Sequence, residues 1–244
     1  MEDYDQIEFV CVFDTEPDVG TYELLFSELL TSQNADPGSD EIDVIYWDTE
    51  MDKNRETLNY EEAARIPSKC QALSVNLETE WDEISIGFSK SGRGFPSYEV
   101  TPFLRISTWI YALQNPDDGH IDRVKQRRRE FAEIHAKAAD ILDPQWGFGR
   151  RGGLAIGEDE TVEDLATRTK PPLYEYNVFR PETVEAIGRE QVLSAPAYYV
   201  EELDSGGVFM AVTEPPKQCG HEGQQCEEVA DQLGLSLAKT ERYH

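Results

Sequence analysis

Apolar residues run from Ile7 to Phe13, broken only by Glu8, the pattern of a strand covered on both faces. Tyr22, Leu25, Phe26, Leu29 and Leu30 then recur at helical steps and predict a helix to about Thr31, capped by Asp18. The loop SQNADPGSDE (32–41) leads to a second strand, IDVIYW (42–47). Residues 48–68 are polar, with one short helix predicted from Tyr60 to Arg65. Alternation is cleanest in the next segment. Leu73, Val75 and Leu77 share one strand face, and Ile84, Ile86 and Phe88 share another, so a connection around Glu80 to Asp82 predicts an antiparallel hairpin. SKSGRGFPS (89–97) reads as a glycine-rich loop, and 98–113 as a β-rich stretch in which Pro102 marks an edge, bulge or break.

A long helix is predicted from about Asp118 to Leu142, where Ile121, Val124, Phe131, Ile134, Ala138 and Ile141 recur at helical spacing and Pro144 follows the end. QWGFGRRGG (145–153) is an aromatic, glycine-rich loop or short strand. Beyond it the pattern predicts a helix at 159–168, a strand at 174–179 and a short helix at 181–188. A hairpin turns at Ser205-Gly206-Gly207, and a terminal helix spans 227–237 with Val229, Leu233, Leu235 and Leu237. Strands outnumber helices and antiparallel connections dominate, which predicts an α+β fold with helices packed mainly on one face of antiparallel sheet. One domain over 1–244 fits this order, as do two subdomains, 1–115 and 116–244.

Charge changes the picture. The chain has 49 acidic and 22 basic residues, a formal net charge of −27 spread along its whole length. At ordinary salt such charge opposes compaction by self-repulsion, and concentrated salt screens it. The composition resembles that of proteins from salt-in halophilic archaea, with an acidic protein that binds a basic partner as the alternative. Nucleic acid is not expected as a partner, because phosphate recognition needs a basic surface. Anionic membranes are not expected for the same reason, and no apolar run has the length to span a bilayer. MEDYDQIEFV lacks a basic segment followed by an apolar one, so the expected location is the cytoplasm.

The chemistry-bearing candidates are few. Cys219, His221 and Cys226 place three possible zinc ligands close together, although the spacing fits no standard zinc knuckle and a fourth ligand would have to come from Cys70, His244 or an acidic residue. The expectation is no metal or other cofactor, with Cys226 packed near the start of the terminal helix. Four cysteines over this length do not suggest a disulfide scaffold, and Cys11 is expected to be a buried small hydrophobe. Arg123, Lys125, Arg127, Arg128 and Arg129 form a basic island on the long helix, expected to pair with neighbouring carboxylates, Arg129 with Glu133 among them. Trp146, Phe148, Arg150 and Arg151 are the candidate binding residues: a glycine-rich loop bearing cations can cradle an anion, while the two rings also suit a core. No catalytic residue is assigned, since His135 has no acidic residue at helical spacing and no Gly-x-Ser-x-Gly, His-Glu-x-x-His or Cys-x-x-Cys motif is present.

ILDPQWGFG (141–149) and the stretch from Tyr176 to Pro216 resemble the C-terminal half of immunity proteins of bacterial polymorphic-toxin and type VI systems, the immunity protein 52-like group included. Pro144, Trp146, Gly147, Ile187, Gly188, Pro196, Gly206 and Gly207 carry the resemblance, which covers about a third of the chain. It implies an α+β layout and a protein that acts by binding a protein partner. A zinc-dependent or anion-binding hydrolase, and a viral or provirus assembly protein, are the alternatives.

Overall fold

Both faces of the first strand, β1 (Gln6–Val12), are buried, which places it in the middle of a sheet covered on both sides at that point. The structure, a computed structural model, describes residues 6–33, 41–78, 83–90, 103–114, 121–152, 160–219 and 224–238. The predicted connection at Glu80 to Asp82, Pro102, His221, His244 and most of the loops at 32–41 and 89–97 lie outside the described residues. The other strands are β2 (Glu41–Trp47), β3 (Lys53–Asn59), β4 (Ala72–Glu78), β5 (Glu83–Ser89), β6 (Phe103–Trp109), β7 (Trp146–Arg151), β8 (Tyr176–Phe179), β9 (Tyr199–Glu202) and β10 (Val208–Ala211). They form one ten-stranded sheet in the order β3-β2-β4-β5-β6-β1-β7-β8-β10-β9, and every neighbouring pair is antiparallel. The fold is α+β. Pairing of β1 with both β6 and β7 joins the first and second halves of the chain into a continuous sheet.

The predicted hairpins are present. β4 and β5 pair so that Leu73 lies against Phe88 and Val75 against Ile86. β9 and β10 pair around Gly206, whose φ of 83° is the left-handed turn conformation expected there. Within the segment at 145–153, open between loop and strand in the sequence, Trp146–Arg151 form a strand. β3 is an element that the polar stretch 48–68 did not suggest: its only apolar side chain is Leu58. It sits at the sheet edge, where backbone pairing to β2 suffices and a polar sequence discourages further pairing.

On the first face, Ile7, Phe9 and Cys11 of β1 join Val44, Val75, Ile86, Phe88, Leu104, Ile106, Tyr176, Val178 and Phe209 in the largest core cluster. Helices α1 (Val19–Gln33) and α4 (Ile121–Leu142) cover it, supplying Tyr22, Leu25, Phe26 and Leu29 from one and Phe131, Ile134, Ala138 and Leu142 from the other. Asp18 caps α1 by accepting the Thr21 N–H at 2.8 Å. Short helices α2 (Tyr60–Ala63) and α3 (Tyr111–Gln114) complete this half. Among the described residues, the second face is covered over β1 and the C-terminal strands. There α5 (Val162–Thr167) packs on Val10, Val12, Trp146 and Phe148. Helices α6 (Pro181–Ile187), α7 (Arg189–Leu193) and α8 (Gln224–Leu233) enclose Phe179, Val208, Met210 and Val212. The terminal helix is shorter than its apolar pattern: Gly234, at φ 63°, ends it, and the Leu235 N–H returns to the Ala230 carbonyl at 3.0 Å.

Candidate functional site

The two candidate clusters from the sequence converge on one buried residue that neither contained, Glu175. Residues 173–179 (LYEYNVF) lead into and form β8, and each is buried, Glu175 with 2% exposure. The register that sets Gly149 of β7 against Tyr176 brings Arg150 alongside Glu175. From the other side, the Cys219 main-chain N–H donates to Glu175 Oε1 at 2.9 Å. Burial pushes the Glu175 carboxyl up to about 7, while Arg150 and the Cys219 N–H pull it back down. The segment carrying Cys219 is strapped to β7 as well. Gln218 Nε2 donates to the Arg151 carbonyl at 3.3 Å, and the Arg151 guanidinium donates to the Pro216 carbonyl at 3.5 Å.

Arg150 also belongs to a row of alternating charge across the second face. Glu8 of β1 lies opposite Arg150 of β7 and pairs with Arg105 of β6, Nη1 to Oε1 at 3.0 Å. The order across the sheet is therefore Arg105, Glu8, Arg150, Glu175. Glu8, the one polar residue in the first apolar run, is 8% exposed and has its cation beside it, as a buried charge requires.

Trp146 and Phe148 do not belong to a binding surface. They stack at 4.1 Å between ring centroids and are 3% and 0% exposed, in the cluster under α5. Alternation along β7 decides this: it sends both rings to the covered second face and leaves Gly147 and Gly149 on the first. Those glycines are not an anion cradle. A Cβ at Gly149 would lie 2.5 Å from the Glu8 carbonyl oxygen, and one at Gly147 would lie 2.6 Å from Val178 Cγ2. They admit the close approach of β1 and β8. Arg150 and Arg151 remain, each partly buried and oriented by the contacts above.

Cys219 and Cys226 are joined in a disulfide across a sequence separation of 7. This bears on the possible zinc set, because sulfurs bonded to each other are not thiolate ligands. Among the described residues no group of three or more His, Cys, Asp or Glu is placed to hold a metal ion. Cys226 is buried in the first turn of α8, and Cys11 and Cys70 are free, buried thiols. The basic island on α4 is engaged where its contacts are described: Arg129 pairs with Glu133 at 2.9 Å, and Arg128 reaches Glu214 at 3.1 Å and the Leu113 carbonyl at 3.0 Å.

The only signal for Glu175 in the sequence is a lone carboxylate in an apolar, aromatic run. His135, on the same face of α4 as Phe131, is fully buried. Its Nδ1–H donates to the Phe131 carbonyl at 2.6 Å, and its ring lies 5.9 Å from that of Tyr176. Burial pushes the imidazole down to about 4. Among the described residues, its Nε2 and the Tyr176 hydroxyl have no hydrogen-bond partner.

Fold and site define an α+β protein with one wide antiparallel sheet, a charged row across its second face and a buried glutamate under a disulfide. Among the described residues no helix is long and apolar enough to cross a membrane. No family model, curated protein or solved structure matches the chain.

Proposed function

We propose that this chain acts by binding another protein, in the manner of an immunity protein that neutralises a toxin, and that it does so in the cytoplasm of a salt-adapted archaeal cell. The observation that carries this reading is the second face of β2 to β5. Its side chains there, including Ile45, Trp47, Ala72, Ser74 and Ser85, contribute none of the described buried apolar residues, yet most are only partly exposed. Small residues flanked by an aromatic and a β-branched side chain make a flat contact surface with little conformational entropy to lose on docking. The Arg55–Asp43 pair, 2.6 Å apart, supplies a polar rim. The opposite face of the same strands is filled by core, so specificity on this side is free to vary without cost to the fold.

The hydrolase alternative would draw on Glu175, whose carboxyl titrates near neutrality beside Arg150. That carboxyl is 2% exposed and already accepts the Cys219 N–H, which favours binding over catalysis.

Co-expression with the products of the neighbouring genes tests the proposal. The expected result is protection from a toxic neighbour and a complex that survives chromatography in molar KCl. Ser74→Arg and Ser85→Arg, each projecting from the second face, should abolish both without changing the melting temperature. Full protection by these variants, or absence of any complex with the neighbouring products, rejects it.

A further inference from the structure

We infer that the Cys219–Cys226 disulfide is a thiol–disulfide exchange site, opened by a dithiol and re-formed in place, with Glu175 positioning Cys219 for closure. The inference is independent of the protein-binding proposal.

The bond is asymmetric in access. Cys219 is partly exposed, while Cys226 is 2% exposed, so an incoming thiolate reaches the sulfur of Cys219 and Cys226 is the leaving group. Cys226 lies in the first turn of α8, a ten-residue helix. The N–H dipoles of a helix's first turn favour a thiolate there, and a stabilised leaving thiolate departs faster.

The two ends are also held independently of the bond. Glu175 accepts the Cys219 N–H at 2.9 Å, and the Gln218 amide reaches Arg151 at 3.3 Å. Cys226 packs in the cluster that contains Phe179, Val212, Val229 and Leu233. Opening the bond therefore leaves both sulfurs near their starting positions, which raises the effective concentration for closure. Cys11 and Cys70 are buried, and desolvation pushes both thiols up, Cys70 to about 11. They are the silent internal controls.

The exchange balances as follows. A dithiol thiolate bonds to Cys219 Sγ while the Sγ–Sγ bond breaks and Cys226 departs as a thiolate. The second thiolate of the reductant then attacks its own sulfur in the mixed disulfide and releases the Cys219 thiolate. The reductant ends as a cyclic disulfide, and its two protons end on Cys219 and Cys226.

The test uses the full chain in molar KCl with dithiothreitol, alkylation, and mass analysis of each cysteine. Cys219 and Cys226 should label together at a rate proportional to dithiothreitol and insensitive to sub-denaturing urea, with Cys11 and Cys70 unlabelled. Removing the reductant and adding oxidised glutathione should restore the bond. Closure should slow by about tenfold or more in Glu175→Ala and recover in Glu175→Gln, whose amide carbonyl still accepts the N–H. Cys226→Ser, which does not depend on those variants folding, should capture glutathione at Cys219. Labelling of all four cysteines in step, or a Cys226→Ser chain that captures no glutathione, overturns the inference.

Discussion

The Cys219 N–H and the Glu175 carboxylate meet at 2.9 Å across 44 residues of chain. This contact ties the segment after β10 to the start of β8, and it brings the disulfide to the buried carboxyl that the sheet register sets beside Arg150 of β7. Glu175 and the fully buried His135 both contribute to how the fold responds to pH between 4 and 8.

Those two groups oppose each other. Glu175 is raised from 4.5 to about 7 by burial. Its folded form keeps a proton that the unfolded chain has already lost, so its stabilisation is complete below 4.5 and disappears as pH rises through 7. His135 is lowered from 6.5 to about 4, also by burial. The unfolded chain binds its proton first, so stability is lost as pH falls from 6.5 through 4. Where the ranges overlap the slopes partly cancel. Urea melts from pH 4 to 8 should therefore be flatter for the native sequence than for either variant. Glu175→Gln should expose a loss toward acid of about 3 kcal/mol, and His135→Asn a loss of similar size toward neutral pH. Two variants with the same slope would contradict the assignment.

Gly149→Ala should destabilise the sheet by more than about 2 kcal/mol, because the added methyl meets the Glu8 carbonyl oxygen at 2.5 Å and Phe9 Cα at 2.9 Å. Both are backbone atoms of the central strand and cannot rotate away. A denaturant midpoint equal to that of the native chain would show that β1 and β7 are further apart than this register requires.

At the β9–β10 turn the two glycines act differently. Gly206 needs its positive φ, whereas a Cβ at Gly207 would lie 2.8 Å from the Phe179 carbonyl oxygen. Gly206→Asn, which tolerates the left-handed region, should cost less than about 1 kcal/mol, and Gly207→Val should cost about 2 kcal/mol or more. Equal costs in thermal melts would remove the distinction.

Stability should fall as KCl is lowered from molar concentrations to 0.1 M, where the screening length reaches about 10 Å and a net charge of −27 repels itself over much of the molecule. Melting temperatures across a KCl series check this. A flat series would favour the alternative in which the charge serves a basic partner.

Local patterning was enough to find β1, α1, the β4–β5 and β9–β10 hairpins and α4, because apolar period and turn chemistry are properties of neighbouring residues. It also exposed the caps, Asp18 for α1 and the glycine turn at 206. It overextended the last helix, since Leu235 and Leu237 kept the helical period past Gly234 while packing from an extended segment. It missed β3, whose seven residues have almost no apolar content and owe their conformation to the backbone of β2.

What tertiary structure alone decided was which distant surfaces meet. The first run of apolar residues announced a strand buried on both faces, but its neighbours β6 and β7 are set by how ten strands share one sheet. Arg150 came into view with an aromatic, glycine-rich stretch and Cys219 with a possible ligand set. The charged row and the glutamate between them exist only after β1, β7 and β8 align, and the bridge to Cys226 forms only once α8 packs beneath Cys219. Periodicity is written in adjacent side chains. The partner of a buried charge is chosen when folding removes water from both, and no local pattern records that choice.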